Sequence, residues 1–371
     1  MTVNKTNIST RSDEYFRVFG RCGKSPEGLA LFWSASGVEF AVKGSECFIN
    51  LESDYNNFEQ WIAVMINGYV ISRQMLPKGK SRICLFRSMN PEETKLVRII
   101  KEVQAMGDDE KAMLVLESVE CEGTLEPVPS KDLRIEFIGD SITSGEGVVG
   151  AKKDMDWISM FFSPAFHYAT RVAESLNADY RVISQSGWGT VCGWDNNIFS
   201  TLPSVYEKVC GPLKGERNLS FGSGEANDFN SWQPDYVVVN LGTNDCGALD
   251  QPPFVNPADG KSFKLSKSED GSCLEEASKE IFETGVYSFL KMLRKNNPKA
   301  EIIWVYGMLG LFMTKYIKEA MEKYSSDTGD TNVTFLELTD TNDDTVGSRF
   351  HPGQKSHKNA ADIITGYISK K

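Results

Sequence analysis

Two residues of this sequence have the types that nucleophilic catalysis needs, a serine and a histidine. Ser141 lies in the stretch FIGDSITSGEG, residues 137–147, directly after an apolar run typical of a buried strand. His351 lies in RFHPG, just before the predicted C-terminal helix. A serine hydroxyl becomes a strong nucleophile when a neighbouring base takes its proton. Because α/β folds present such strand ends to a ligand crevice, Ser141 is a candidate nucleophile, and a serine that only starts a turn or caps a helix is the alternative.

The chain has only three histidines, which restricts the choice of a general base. His167 lies in a predicted helix and is expected to be a packed or surface residue. His357 lies on the polar face of the last helix and is expected to be solvated. No pair of histidines has the spacing of zinc ligands, so no metal is expected. His351, in a loop near the predicted mouth of the sheet, is therefore the predicted base.

Two further strand ends carry groups that could stabilise an oxyanion. One predicted strand ends in SQSGWG, residues 184–189, and the next ends in VNLGTND, residues 239–245. Taken singly, each is typical of a turn, since glycine frees the backbone and Asn-Asp forms local hydrogen bonds. Taken together with Ser141 and a histidine, they supply a nucleophile, two oxyanion donors and a base.

Glycine-rich motifs elsewhere do not indicate nucleotide binding. Residues 145–150 match GxGxxG, but AKKDMDWISMFFSP follows them and the next strand ends in SQSGW instead of an acid. The GxSxG motif of α/β-hydrolases is absent. Three GKS tripeptides lack the upstream glycine of a phosphate-binding loop, at Gly23, Gly79 and Gly260.

Composition disfavours several classes of partner. The formal net charge of -11 repels nucleic acid and anionic membrane surfaces. The longest apolar run, residues 302–313, is too short to cross a bilayer. The eight cysteines form no CxxC pair, so reduced thiols are expected, and the N-terminal residues show no apolar leader. The sequence therefore predicts no nucleic-acid partner, no membrane contact and a cytoplasmic location, with a secreted chain whose signal has been removed as the alternative.

The 371 residues suit two domains. Residues 15–122 hold about seven short β-rich runs, with the clearest hairpin signal at Asn67-Gly68, and predict an all-β sandwich. The segment GTLEPVPSKD, residues 123–132, breaks this pattern, so we place a β-sandwich over 1–125 and a second domain over 130–371. In the second part, apolar strands alternate with helical stretches, which predicts a three-layer α/β domain with a parallel sheet.

Four blocks in the second part, GDSIT, SGWG, GTND and the late His-Pro pair, resemble the SGNH (GDSL-type) hydrolases. The preceding sandwich, LPSVY at residues 202–206 and WQPD at 232–235 resemble carbohydrate esterase family 2. Members of that family join a jelly-roll domain to an SGNH domain and remove acetyl groups from plant polysaccharides. The resemblance covers nearly the whole chain. It implies a cofactor-free serine esterase that deacetylates xylo-oligosaccharides or related sugars through an acetyl-enzyme intermediate.

The resemblance also implies a role for individual residues. Ser141 would be the nucleophile and His351 its base. The backbone N–H groups of Ser141 and Gly187 and the side chain of Asn244 would form the oxyanion hole. The neighbouring acids Asp140 and Asp245 are expected to brace loops.

One position departs from the family pattern. Most SGNH enzymes carry an aspartate three residues before the histidine, and here that residue is Ser348. The ring of His351 would then be oriented by a backbone carbonyl of its turn or by a nearby acid. The sequence leaves this choice open, and the candidate acids are Asp340, Asp343 and Asp344.

Three aromatic residues beside the proposed site are candidates for contacts with sugar, namely Trp188, Trp194 and Phe350. Burial in a core is the commoner outcome for any one of them. Two other functions stay open at this stage, an SGNH lipase or short-chain esterase of broader specificity and a non-catalytic carbohydrate-binding protein. The sequence also leaves homo-oligomer formation open.

Overall fold

The computed structural model describes residues 3–8 and 14–371, so residues 1–2 and 9–13 of the N-terminal stretch lie outside the description. The chain forms an antiparallel β-domain followed by an α/β domain. Within the described residues, no helix is long and apolar enough to cross a bilayer. All eight cysteines lie in this part of the chain, as free thiols.

The first domain is a ten-stranded antiparallel sheet. Its strands are β1 (Val3–Asn7), β2 (Arg17–Phe19), β3 (Cys22–Ser25), β4 (Gly28–Leu31), β5 (Gly37–Asp54), β6 (Trp61–Ile66), β7 (Tyr69–Met75), β8 (Gly79–Phe86), β9 (Thr94–Lys101) and β10 (Met113–Glu126). They follow the order β3-β4-β10-β5-β9-β6-β7, with β1 beside β10 and with β2 and β8 beside β5. The sequence predicted about seven strands, and β1 to β3 were missed because strands of three to five residues are too short for an alternation pattern.

Strand β5 is 18 residues long and takes part in both layers of the sandwich. Its first half pairs with β9 and its second half with β8. Phe40 of the first half and Ile49 of the second half lie in one apolar core, so the sheet folds over this core. The hairpin predicted at Asn67-Gly68 joins β6 to β7 and is confirmed, since both residues have positive φ angles of 52° and 84°.

The second domain contains a parallel sheet of five strands in the order β12-β11-β13-β16-β17. The strands are β11 (Arg134–Gly139), β12 (Asp179–Ser184), β13 (Tyr236–Asn240), β16 (Glu301–Tyr306) and β17 (Val333–Glu337), and a small hairpin comprises β14 (Phe254–Val255) and β15 (Ser262–Phe263). The helices are α1 (Ser141–Ser144), α2 (Tyr168–Ser175), α3 (Glu216–Ser220), α4 (Thr243–Ala248), α5 (Glu276–Asn296), α6 (Thr314–Thr328) and α7 (Gln354–Ile368). Short 3-10 turns occupy Ser159–Phe161, Pro164–Phe166, Phe229–Ser231 and Ser348–Phe350.

The strands of this sheet are apolar on both faces, which explains the helices on both sides. Successive residues of β11 point to opposite faces: Phe137 packs with residues of α2 and α7, and Ile138 packs with residues of α5 and α6. An all-β domain followed by a three-layer α/β domain is therefore confirmed.

The two domains share apolar cores. Phe32 and Trp33, both fully buried, belong to the same cluster as Val237 of β13. Phe19 stacks on Tyr180 of β12, with ring centroids 4.9 Å apart. The change of architecture falls between the end of β10 and the start of β11, at the seam noted in the sequence. A division into two separate domains at this seam stays a prediction.

Candidate active site

The nucleophile candidate lies where β11 ends. Helix α1 begins at Ser141, directly after Asp140, whose Oδ1 accepts a hydrogen bond from the N–H of Ile142 at 3.0 Å. Gly145 ends this helix with a φ of 79°, a left-handed conformation that glycine adopts without steric penalty. This sharp turn between strand and helix holds the Ser141 side chain in place, with only 6% of the residue exposed.

His351 reaches the same point from the turn before α7. Its Nε2 lies 2.9 Å from the Oγ of Ser141, a distance at which a proton can be transferred. The two residues are 210 positions apart in the chain, so only the fold brings them together. The result is a hydroxyl with a base at hydrogen-bonding distance.

The second ring nitrogen determines the tautomer of His351. Its Nδ1 lies 3.0 Å from the backbone carbonyl of Arg349. Because a carbonyl can only accept, Nδ1 must carry the proton and donate it. Nε2 is then the basic nitrogen that faces Ser141. The sequence left open whether a backbone carbonyl or a nearby acid orients His351. In the structure the partner of Nδ1 is the backbone carbonyl of Arg349.

The three aspartates considered as orienting acids do not reach the histidine ring. Asp340 accepts hydrogen bonds from backbone N–H groups, Asp343 forms a surface ion pair with a lysine, and Asp344 is exposed. Ser348, at the position of the usual aspartate, is buried, and its Oγ donates to the carbonyl of Val149 at 3.3 Å. The acid hypothesis is therefore wrong, because other partners or solvent occupy these carboxylates.

Three strand ends meet at the level of the nucleophile. In the register of the sheet, Gly139 of β11 lies beside Ser184 of β12 and beside Asn240 of β13. The segments that follow these strands therefore start side by side at the carboxyl edge of the sheet. This arrangement brings the three motif-bearing loops together, as expected from a parallel topology.

Gly187 and Asn244 carry hydrogen-bond donors in these loops. In the part of the chain that the structure describes, the backbone N–H groups of Ser141 and Gly187 have no protein acceptor. The Nδ2 of Asn244 donates one hydrogen to the carbonyl of Trp188 at 2.9 Å, which leaves its second amide hydrogen available. Donors of this kind can stabilise the negative charge of a tetrahedral intermediate.

Two buried acceptors brace the loop that follows β12. Asp245 accepts from the N–H groups of Thr190 at 2.9 Å and Val191 at 2.8 Å, and burial raises the pKa of its carboxyl. Gln104 of the β-domain accepts from the N–H of Ser186 with its Oε1 at 2.7 Å. Asp245 is thus placed as the loop brace that the sequence suggested.

The β-domain touches the site at two places that sequence reasoning missed. One is Gln104, beside the loop of Gly187. The other is Ser34, whose Oγ donates to the carbonyl of Ser144 in helix α1 at 2.8 Å. Neither residue belongs to a recognisable motif, and we find no signal in the sequence that would have identified them.

The three candidate aromatics differ in their exposure. Trp194 is 52% exposed and Phe350 is 61% exposed, so both can contact a ligand. The N–H of Trp194 donates to the carbonyl of Gly187 at 3.0 Å, which holds it beside the oxyanion loop. Trp188 packs against the apolar core and is only partly buried there. Trp194 and Phe350 are therefore exposed enough to contact a ligand, and their role as sugar contacts stays a prediction.

The two other histidines are buried and link helices α2 and α7. His357 is fully buried, and its Nδ1 accepts from the N–H of Tyr168 at 3.1 Å, so its expected solvation was wrong. The face of α7 that the sequence indicated as polar packs against α2. His167 is also buried, and its Nδ1 accepts from the N–H of Thr170. Burial lowers the pKa of His167 to about 3 and lowers the pKa of His357 as well, so both rings stay neutral.

Asp140 provides a test of stability against pH. Burial raises its pKa to about 7, and its Oδ2 has no partner among the described residues. Between pH ~4 and ~7 the folded state therefore binds a proton that the unfolded state releases, so stability falls as pH rises through this window. Asp140→Asn keeps the acceptor for the helix cap and removes the buried charge. We expect the variant to gain melting temperature over the native protein at pH ~8 and to gain less at pH ~4.

Thermal unfolding at both pH values measures this effect. Asp344→Asn, which removes an exposed carboxylate, is the matched control. Its melting temperature should differ from that of the native protein by the same amount at both pH values. A gain in melting temperature of Asp140→Asn that does not depend on pH would contradict the titration of Asp140.

The parallel sheet with helices on both faces and the serine–histidine pair at its carboxyl edge define a serine ester hydrolase. The sequence profile of the GDSL-like lipase/acylhydrolase family matches residues 137–359. The chain belongs to this family.

Solved structures extend the likeness to the whole chain. An acetyl xylan esterase (Est2A) from the rumen bacterium Butyrivibrio proteoclasticus is 46% identical with a TM-score of 0.97, over 100% of this chain and 98% of that one. A family two carbohydrate esterase from Clostridium thermocellum, solved in complex with cellohexaose, has the same fold at 23% identity, with a TM-score of 0.78 over 96% of this chain and 98% of that one. The predicted resemblance to carbohydrate esterase family 2 is confirmed.

A curated relative is longer than this chain. The cellulase/esterase CelE of Acetivibrio thermocellus is 27% identical over 361 residues, which are 93% of this chain and 38% of CelE. The chain thus spans well under half of the length of CelE.

Proposed function

We propose that this protein is a serine esterase that removes acetyl groups from acetylated xylo-oligosaccharides or related plant-polysaccharide sugars. The observation that carries the proposal is the 2.9 Å distance between Ser141 Oγ and His351 Nε2. The neighbouring loops carry backbone N–H groups that have no acceptor among the described residues. The likeness to Est2A over the whole chain supports acetylated xylan sugars as the substrate class.

The reaction proceeds in two halves. Ser141 Oγ attacks the acetyl carbonyl while its proton passes to Nε2 of His351. The resulting oxyanion accepts hydrogen bonds from the N–H groups of Ser141 and Gly187 and from the side chain of Asn244. His351 then gives the proton to the departing sugar oxygen, which leaves an acetyl-enzyme. Water then gives a proton to the same ring as it attacks this ester, and the ring returns the proton to Ser141 Oγ as acetate leaves.

The surroundings of the pair favour a small acyl group on a sugar. Ser141 is only 6% exposed, so the acyl group must approach a largely buried hydroxyl. Trp194 and Phe350 offer exposed rings on which an apolar sugar face can pack.

Acetate release from acetylated xylo-oligosaccharides tests the proposal directly. We expect kcat/KM for 4-nitrophenyl acetate to exceed that for the butyrate by at least about tenfold, because two extra methylenes must fit beside a buried serine. Mass spectrometry of the oligosaccharides should show loss of acetyl groups. Equal rates for acetate and butyrate would favour a short-chain esterase of broader specificity. Binding of the oligosaccharides without release of acetate would indicate a carbohydrate-binding protein.

A further inference from the structure

The turn that carries His351 has an unfavourable backbone. Arg349 and Phe350 both adopt the left-handed conformation, with φ angles of 53° and 60°. Neither residue is one of the types that tolerate this region well. Such conformations persist only where the surrounding structure imposes them. Something must therefore hold this turn in place.

A partly buried ion pair between Arg349 and Glu146 provides that restraint, since the Arg349 side chain is 32% exposed and that of Glu146 only 4%. The Nε of Arg349 donates to Oε1 of Glu146 at 3.0 Å, and its Nη1 donates to the carbonyl of Met155 at 3.2 Å. The backbone N–H of Arg349 donates to the carbonyl of Asp154 at 2.9 Å. With side chain and backbone both anchored, the carbonyl of Arg349 stays directed at Nδ1 of His351, 3.0 Å away.

Glu146 also lies beside the reacting atoms. Its backbone N–H donates to the carbonyl of Ser141 at 3.0 Å, which ties it to the nucleophile helix. Its Oε1 lies 3.7 Å from Nε2 of His351, too far for a hydrogen bond and close enough for a strong charge interaction. The residue is 3% exposed, so water screens this charge only weakly.

We propose that Glu146 is a positioning residue that replaces the missing family aspartate in two ways. Through Arg349 it holds the carbonyl that orients His351, and through its charge it stabilises the imidazolium. This inference rests on the proposed esterase function. As the bond from Ser141 Oγ to the acetyl carbon forms, the O–H bond breaks and its proton passes to Nε2. The proton then leaves with the sugar oxygen, so the step needs no proton transfer to Glu146.

Few other charges face the ring among the described residues. Asp140 lies behind Ser141, and burial raises its pKa to about 7, so at neutral pH it is only partly charged. His357 is buried and neutral, because burial lowers its pKa. Arg349 is the cationic neighbour, and its charge is already paired with Glu146.

The test is Glu146→Gln in the full chain, assayed with 4-nitrophenyl acetate over the pH range in which histidine titrates. We expect kcat to fall about 10²-fold. KM should change little, since the buried Glu146 touches no substrate. The acidic limb of the kcat/KM profile should move to lower pH, because the imidazolium loses a stabilising charge.

Glu136→Gln is the matched control. Glu136 is another buried carboxylate paired with an arginine, Arg21, at 3.1 Å, and it lies away from the pair of Ser141 and His351. We expect this control to lower the melting temperature without moving the pH profile. A shift of the acidic limb in Glu136→Gln equal to that in Glu146→Gln would overturn the inference.

The remaining outcomes are also decisive. A Glu146→Gln profile that superimposes on the native one, or a change in KM alone, would overturn the positioning role. If Glu146→Gln does not fold, Glu146→Asp takes its place: a lower kcat with an unmoved acidic limb supports the inference, and native kinetics overturn it. Failure of the native protein to release acetate would instead contradict the proposed function.

Discussion

Replacement of Ser141 by alanine is expected to lower kcat for acetyl esters by on the order of 10⁶-fold, because no acetyl-enzyme can form without the hydroxyl. The donors of Gly187 and Asn244 would remain, and they account for any residual rate above that in water. The melting temperature should stay close to the native value, since only one oxygen atom is removed. Steady-state kinetics with 4-nitrophenyl acetate and calorimetry measure both quantities.

A neighbouring serine provides the control for this experiment. Ser144 lies in the same short helix and is buried, but its Oγ donates to Ser184 Oγ at 3.0 Å and not to the histidine. Ser144→Ala should therefore keep a rate within about tenfold of the native one. A fluorophosphonate should label the native protein and the Ser144→Ala variant, and it should not label Ser141→Ala. Native activity in Ser141→Ala would end the assignment of the nucleophile.

Removal of the β-domain is expected to abolish folding of the remainder, so residues 130–371 alone should be insoluble or lack cooperative unfolding. The shared cores are the physical reason, because removal exposes the apolar surface that Phe32 and Trp33 cover. It also leaves the buried carboxylate of Glu136 without its partner Arg21. Size-exclusion chromatography, circular dichroism and acetate release would measure the result.

Single substitutions in the full chain test the same interface. Trp33→Ala should lower the free energy of unfolding by about 3–5 kcal/mol, since the side chain is fully buried between the domains. Tyr69→Ala is the matched control, because Tyr69 is 75% exposed on β7, and it should change the free energy by less than about 0.5 kcal/mol. A monomeric, cooperatively folded and active fragment 130–371 would show that the second domain is independent.

The contacts of Gln104 and Ser34 give the β-domain a place in the catalytic scaffold. Gln104 fixes the loop of Gly187, and Ser34 fixes the end of the helix that Ser141 begins. The domain therefore supports the loops that carry the site. The β-domain can thus contribute to catalysis without binding the substrate itself.

Much of the site was predictable because its functional residues come directly after the ends of strands. Three buried strands are each followed by a short motif, and parallel pairing necessarily aligns their carboxyl ends. The types of Ser141, Gly187 and Asn244 then indicate a nucleophile and oxyanion donors. His351 could be selected because only three histidines compete for the role. The order and type of the main elements followed in the same way from hydrophobic periodicity.

Other features depend on contacts between segments that are far apart in the chain, and no local pattern reports them. The choice of the Arg349 carbonyl over a carboxylate follows from a left-handed turn that Glu146 restrains across about 200 residues of sequence. The burial of His357 depends on how α7 packs on α2. Residue types and periodicity thus determine which groups are present and at which edge of the sheet they lie. Only packing decides which of them touch, how they are charged and which neighbour holds each in place, because burial and distance are properties of the whole fold.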